Sequence, residues 1–112
     1  MVQMLEQEQL TVESVATPRE IALLRHDMDE INVELLRLLE RRGALALRIM
    51  QVKKRRGLRL HDRARESAMI AKLAAHSRGV FDAAEIAVMF RSIFETSRTL
   101  AARLFAARGP AA

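Results

Sequence analysis

Residues 17–57 read TPREIALLRHDMDEINVELLRLLERRGALALRIMQVKKRRG, and the fold follows from this stretch. Thr17 can cap a helix, Pro18 suits its first position, and Glu20 can close a capping box with Thr17. From there apolar residues recur mostly at steps of three and four, the heptad pattern of a helix that packs along one seam. The seam consists of Ile21, Leu24, Met28, Ile31, Leu35, Leu38, Leu45, Ile49 and Val52.

The helix predicted over this stretch is too long for one chain of this size to cover. Gly43 is its only glycine and costs about 1 kcal/mol relative to Ala, while cations before Gly57 mark its end. Its length is then roughly 55 Å at 1.5 Å per residue, whereas a compact chain of this size has a radius of gyration of about 13 Å. The seam therefore predicts a partner, most simply a second copy of the chain.

Two shorter helices are predicted after the loop that follows Gly57. The first runs from about Asp62 to His76, and the second begins at a capping box formed by Asp82 and Glu85. The second carries an apolar stripe at helical spacing, made of Ile86, Phe90, Ile93, Leu100 and Leu104. The chain is thus predicted to be all-α, with one long helix and two shorter ones.

The composition agrees with this fold class. Of the 112 residues 50% are hydrophobic, only 4% are aromatic and none is cysteine, which excludes strand-rich folds, disulfides and cysteine nucleophiles. Residues 1–16 lack an apolar leader and are expected to form a flexible tail, as are residues 109–112. No apolar run is long enough to span a membrane. We therefore expect one domain at 17–108 in a soluble, cytoplasmic protein.

The chain is basic, with 19 Lys and Arg against 14 Asp and Glu. This balance suits nucleic acid, anionic membranes or small polyanionic substrates, so the positions of the cations must decide. Arg42 lies in the seam between Leu38 and Leu45, where a charge is costly unless it is paired or binds an anion. A buried ion pair that fixes helix register and a ligand site are both open interpretations.

Two further cations lie beside the same seam. Lys53 is roughly 16 Å from Arg42 along the helix, and it also fits a solvated helix end. Arg25 is roughly 25 Å from Arg42 in the other direction. Taken alone it is an exposed side chain, but in a dimer it could reach the site of a second copy.

The remaining candidates follow the long helix. Asp62, Arg65 and Glu66 share one helix face and offer either a cap with a surface ion pair or acceptors for a hydroxyl and a further cation. Ser97 interrupts the apolar stripe and can bond back to its own helix or donate to a carboxylate. The spacing of the three histidines does not match that of metal ligands, and we assign a catalytic role to none of them. They are His26, His61 and His76.

The order and spacing of six of these residues resemble the all-helical AroQ class of chorismate mutases. The six are Arg25, Arg42, Lys53, Asp62, Arg65 and Glu66. The family pattern lies without a gap along residues 24–73 and extends more loosely to Ser97. The resemblance implies an intertwined homodimer that rearranges chorismate to prephenate in aromatic amino-acid biosynthesis.

The resemblance also implies a role for each residue. Arg25 reaches the partner's site, while Arg42 and Lys53 come from the protomer's own long helix. The ring hydroxyl of the substrate is held by Asp62 and Glu66, which Arg65 supports, and Ser97 meets a carboxylate. The groups implied to be catalytic are Lys53, Arg42 and Glu66. The reaction requires no cofactor, no metal and no proton transfer, only a clamped dianion and positive charge at the breaking ether bond.

Two positions depart from the family pattern. Where the family usually places Gln or Glu, this chain has Ala101, which can donate nothing to the ether oxygen. The family usually has Asp at the position of Asn32, and we interpret this residue as structural. Ala101 also leaves open a low-activity mutase that depends on a partner enzyme of the same pathway.

Other functions remain open at this stage. The same fold serves isochorismate-pyruvate lyases and aminodeoxychorismate mutases, although the Asp62, Arg65 and Glu66 motif favours a chorismate mutase. The basic stretch from Lys53 to Arg65 allows a non-catalytic helical dimer that binds nucleic acid. Against this, no aromatic residues interleave the stretch for base stacking, and it forms no recognisable DNA-binding motif.

Overall fold

The computed structural model describes residues 17–107, and every regular element in that range is an α-helix. The helices are α1 (Pro18–Arg55), α2 (Arg63–His76) and α3 (Ala83–Ala107). The predicted all-α fold with one long helix and two shorter ones is confirmed. The tails predicted at 1–16 and 109–112 lie outside the described residues. Across residues 17–107, no helix combines the length and the apolar content that a membrane-spanning segment requires.

Helix α1 begins and ends where the sequence predicts. The Thr17 hydroxyl accepts a hydrogen bond from the Glu20 N–H at 3.1 Å, and the Glu20 carboxylate accepts one from the Thr17 N–H at 3.0 Å, which completes the capping box. At the other end Gly57 adopts a φ of +67°, and the N–H of Leu58 donates to the Lys53 carbonyl at 2.8 Å. The helix thus ends with Gly57 in the left-handed region, which glycine adopts without strain because it has no Cβ.

Both shorter helices also begin at the predicted caps. The Asp62 carboxylate accepts a hydrogen bond from the Arg65 N–H at 3.0 Å and caps α2. The box predicted for α3 forms as well, since the Asp82 carboxylate accepts from the Glu85 N–H at 2.8 Å and the Glu85 carboxylate accepts from the Asp82 N–H at 2.9 Å. These side chains satisfy N–H groups that have no partner within their helices.

The described chain forms two units, one ending at Arg41 and the other beginning at Arg42. In the first, the N-terminal part of α1 leaves its apolar seam exposed, with Met28 and Ile31 each 61% accessible. The second contains the end of α1 together with α2 and α3, which pack against each other. Its buried hydrophobic residues are Ile70 of α2 and Ile86, Phe94 and Ala101 of α3.

The most buried line of α3 lies one residue away from part of the predicted stripe. Phe94 and Ala101 are 4% and 3% exposed, whereas Ile93 and Leu100 are half-buried. Phe94 and Ala101 are seven residues apart and therefore lie on one helix face, two turns from each other. The predicted stripe thus includes the buried Ile86, but at Ile93 and Leu100 it follows the flank of the buried face and omits Phe94 and Ala101.

Gly43 of α1 faces the Leu100 side chain of α3. A Cβ built on Gly43 would lie 3.4 Å from the Leu100 Cδ2, which is an ordinary van der Waals contact. The site therefore has room for one methyl group on α1, and a larger side chain must displace Leu100.

We expect Gly43→Ala to stabilise the protein by up to about 1 kcal/mol, because Ala removes the helix penalty of glycine and its methyl fits against Leu100. Gly43→Val adds two further carbons at this contact and should destabilise by roughly 1–3 kcal/mol. Gly57→Ala is the matched control, since a Cβ at a left-handed φ costs about 1–2 kcal/mol. Urea unfolding of the three variants checks this order. A Gly43→Ala protein less stable than the wild type contradicts the space seen at Leu100.

Candidate functional site

A pocket within the unit that begins at Arg42 receives side chains from all three helices. The space in it that water-sized molecules can occupy is about 100 Å³, which is below the range of about 300–1,000 Å³ typical of small-molecule sites. Apolar side chains such as Met50, Met69 and Phe94 form part of its wall. Its charged and polar lining consists of Arg42, Lys53, Asp62, Arg65, Glu66, Ser97 and Arg98. Every residue predicted for the site, apart from Arg25, is in this lining.

Arg25 lies on α1 in the unit that ends at Arg41. Its side chain is exposed and makes no hydrogen bond or ion pair within residues 17–107. Its contribution to the site of a second copy stays a prediction.

Arg42 is half-buried, and its neighbours leave its positive charge uncompensated. Its Nη1 donates to the Ser97 Oγ at 3.2 Å, and its guanidinium carbon lies 5.0 Å from the centre of the Phe94 ring. Within the described part of the chain Arg42 forms no ion pair with a carboxylate. Of the two interpretations open from the sequence, the register-fixing ion pair is therefore absent from residues 17–107. A partly desolvated, oriented cation is suited to binding a ligand carboxylate.

Lys53 is half-buried in the pocket wall, whereas the three residues that follow it are exposed. It is eleven residues from Arg42, or about three turns, so both side chains leave the same face of α1. The next residue, Lys54, points elsewhere and stacks its ammonium 4.7 Å from the centre of the Phe105 ring. The two lysines of this basic helix end thus have different environments.

The first turn of α2 brings Asp62, Arg65 and Glu66 to the pocket. Asp62 is the N-cap, and its Oδ1 is already bonded to the Arg65 N–H. The carboxylate keeps further lone pairs for a second donor. The interpretation as a helix cap and the interpretation as a hydroxyl acceptor are therefore compatible for Asp62.

Glu66 is held by two side chains that were not predicted to belong to this site. Its Oε2 accepts a hydrogen bond from the Arg98 Nη1, and its Oε1 lies 3.2 Å from the His61 Nε2. The side chain of Glu66 is 22% exposed, so these contacts are only partly screened by water. The support predicted from Arg65 stays a prediction, because the hydrogen bonds to Glu66 within residues 17–107 come from Arg98 and His61.

Ser97 uses its hydroxyl across the pocket. Its Oγ accepts from Arg42, while Thr96 and Thr99 beside it donate back to carbonyls of their own helix, at 2.8 and 3.1 Å. The hydroxyl hydrogen of Ser97 remains available to a ligand carboxylate. One turn further along α3, Ala101 is buried and offers the pocket no donor.

The balance of charge in the pocket is positive. Four cationic side chains and two carboxylates line it, which gives a net charge of +2. Six hydrophobic residues are part of the lining, so the field of these charges is screened less than at a fully polar surface. Within residues 17–107 no cluster of three or more acidic or histidine side chains could hold a metal ion. The net positive charge of the lining favours the binding of an anion.

The roles of Phe94, Arg98 and His61 were not predicted from the sequence. Phe94 and Arg98 are four residues apart on α3, and Ser97 lies between them on the same side of the helix. This spacing was visible in the sequence. The pairing of Arg98 with Glu66 was not, because it joins two helices whose packing has no local signal.

Comparison with known proteins identifies relatives of this chain. The family model described as chorismate mutase type II matches residues 24–102. A structure of chorismate mutase (form II) from Thermus thermophilus is 38% identical, with 74% of this chain and 94% of that chain covered and a TM-score of 0.71. Form I from the same organism is 39% identical, with 69% and 96% covered and a TM-score of 0.67. No curated protein matches the chain.

Proposed function

The chain belongs to the chorismate mutase type II family, and we propose that it rearranges chorismate to prephenate in the pocket lined by Arg42, Lys53 and Glu66. As a member of this family the protein is an isomerase. The observation that carries the proposal for the site is Arg42, a half-buried cation that is hydrogen-bonded to the Ser97 hydroxyl and has no carboxylate partner in the described chain. The proposed setting is the cytoplasm, where a chain without cysteine is ordinary.

The reaction makes one demand on the ground state and one on the transition state. In chorismate one C–O bond breaks while a C–C bond forms within the same molecule, so the dianion must first be folded into a compact conformer. Arg42, with Ser97 behind it, would grip a carboxylate and hold that conformer. Negative charge then grows on the ether oxygen, and Lys53 would stabilise it.

The acidic side of the pocket would bind the ring hydroxyl of the substrate. Glu66 is our choice for the principal acceptor, with Asp62 beside it and Arg65 in support. Neither carboxylate exchanges a proton in the reaction, so each acts as an oriented acceptor. This division of roles puts the cations at the carboxylates and the ether oxygen, and the anions at the hydroxyl.

A second copy of the chain would complete the site. No residue of α1 is buried in the single chain, and all nine seam residues are exposed. An apolar face of this length indicates a partner surface. We propose an intertwined homodimer in which Arg25 of one protomer reaches the pocket of the other, so that residues 17–108 act as one domain.

The pocket assignment predicts that Arg42→Ala and Lys53→Ala each lower kcat/KM on chorismate by about 10²–10³-fold, the effect of losing one donor to developing charge. The measurement is loss of chorismate absorbance with identification of the product. Stability should be kept, and Arg42→Ala can even raise it, because a half-buried charge is removed. Arg41→Ala and Arg55→Ala, two exposed neighbours on α1, are the matched controls. Near-wild-type rates for both pocket variants would refute the assignment.

The dimer proposal predicts complementation between two inactive proteins. Arg25→Ala and Lys53→Ala, unfolded and refolded together, should regain about one quarter of wild-type activity, because half of the dimers are mixed and each mixed dimer has one intact site. The same proteins mixed after separate refolding are the control. No recovery after joint refolding, with mixed dimers shown by mass spectrometry, would mean that Arg25 serves its own protomer.

Ala101 generates a third prediction. If Lys53 alone faces the ether oxygen, Ala101→Gln should raise kcat more than it changes KM, since a bond to that oxygen strengthens as charge develops. The position is only 3% exposed, so urea unfolding must show that the larger side chain is tolerated. Ala102→Gln, on the exposed side, is the matched control. A stable Ala101→Gln protein with an unchanged kcat would show that the missing donor is already replaced.

A further inference from the structure

Glu66 differs from the other acidic residue of the pocket in how it is held. Asp62 is bonded to a backbone N–H of its own helix, whereas both Glu66 oxygens meet side chains from other elements. The Arg98 Nη1 comes from α3 and the His61 Nε2 from the loop before α2. The side chains of Glu66, Arg98 and His61 are 22%, 31% and 37% exposed, so all three are partly withdrawn from water.

We propose that Arg98 and His61 are positioning residues that hold the Glu66 carboxylate in the orientation required by the substrate. The inference rests on the proposed function, because Glu66 is assigned there as the acceptor of the substrate hydroxyl. Neither positioning residue is required to touch the substrate. Both act through the carboxylate between them.

The geometry explains why two holders are needed. A glutamate side chain has three rotatable bonds, and one contact would leave the carboxylate free to swing about it. Contacts to both oxygens from separate elements fix the plane of the carboxylate before the substrate arrives, so binding does not have to order it. Each oxygen has two lone-pair directions, so each retains one for a ligand donor. The imidazole donates to Glu66 when its Nε2 carries a proton.

Arg98 also lines the pocket, and a direct contact with the substrate is the competing explanation. It lies on α3, one residue after Ser97 and three before Ala101, and is the cation of the pocket lining nearest in sequence to the missing donor. In the structure the Arg98 Nη1 forms an ion pair with Glu66, and this ion pair joins α2 to α3. The two explanations differ in whether Arg98 still matters once Glu66 has no carboxylate.

A double-mutant cycle makes this distinction. The proteins are Arg98→Met, His61→Leu and Glu66→Ala, with each of the first two also combined with Glu66→Ala, and kcat and KM on chorismate are measured for all. We expect Arg98→Met and His61→Leu each to lower kcat/KM on the order of tenfold, the cost of ordering one freed glutamate. In the Glu66→Ala background, we expect either substitution to lower kcat/KM by less than about twofold further.

Conservative variants separate positioning from a merely structural role. His61→Gln retains an N–H near the place of Nε2, and Arg98→Lys retains a cation that can reach Glu66. Both should recover most of the activity lost in the apolar variants. Arg103→Ala, an exposed arginine on α3 outside the pocket lining, is the matched control. If Arg98→Met fails to fold in a urea titration, the His61 arm alone decides the inference.

The outcomes are distinguishable. An Arg98→Met loss that persists in full in the Glu66→Ala background overturns the inference in favour of direct substrate contact. Wild-type rates in both apolar variants overturn it as well, while the mutase assignment stands. A wild-type protein without turnover on chorismate overturns the proposed function, and this inference with it.

Discussion

The exposed apolar seam of α1 is the constraint on which the other features depend. Nine seam side chains are more than a third accessible in the single chain, and α1 buries no residue of its own. Covering them would contribute on the order of 10 kcal/mol as an upper estimate, which equals the net stability of a typical domain. Folding and association are therefore expected to be one process. A site completed by Arg25 of the second copy would then form only in the assembled protein.

In the pocket, an arrangement that suits ligand binding lowers the stability of the free protein. Arg42 occupies a seam position that a leucine could fill, and its neighbours are a hydroxyl and an aromatic ring, which orient its charge without neutralising it. A carboxylate in their place would stabilise the free protein and compete with the ligand. Glu66 differs from Arg42 in this respect, because its charge is compensated by Arg98, a cation on α3. Arg98 and Glu66 compensate each other, so the net charge of +2 comes from Arg42, Lys53 and Arg65 against Asp62.

Local signals in the sequence predicted the elements, and tertiary contacts account for what was missed. Thr17 with Glu20 and Asp82 with Glu85 are neighbours along the chain, so their capping boxes could be predicted without knowledge of the packing. The centre of the α3 face could not, because Ile93 and Phe94 are equally apolar and only contact with other helices chooses between them. The Arg98 pair with Glu66 spans 32 residues and depends on how α2 meets α3. The order and spacing of residues in the sequence predicted most of the charged and polar lining of the pocket, but not the contacts that Arg98 and His61 make with Glu66.

The end of α1 shows how one backbone feature serves both fold and site. Consecutive helical residues point about 100° apart, so Lys53 faces the pocket while Lys54 stacks on Phe105. Gly57 stops the helix within one turn of Lys53 by accepting a left-handed φ, and the Lys53 carbonyl is the acceptor that closes this turn. The chain is then short enough at 57–62 to return the first turn of α2 to the same pocket. Because α1 ends at this point, the hydroxyl acceptors proposed on α2 line the same pocket as Lys53, the cation proposed for the ether oxygen.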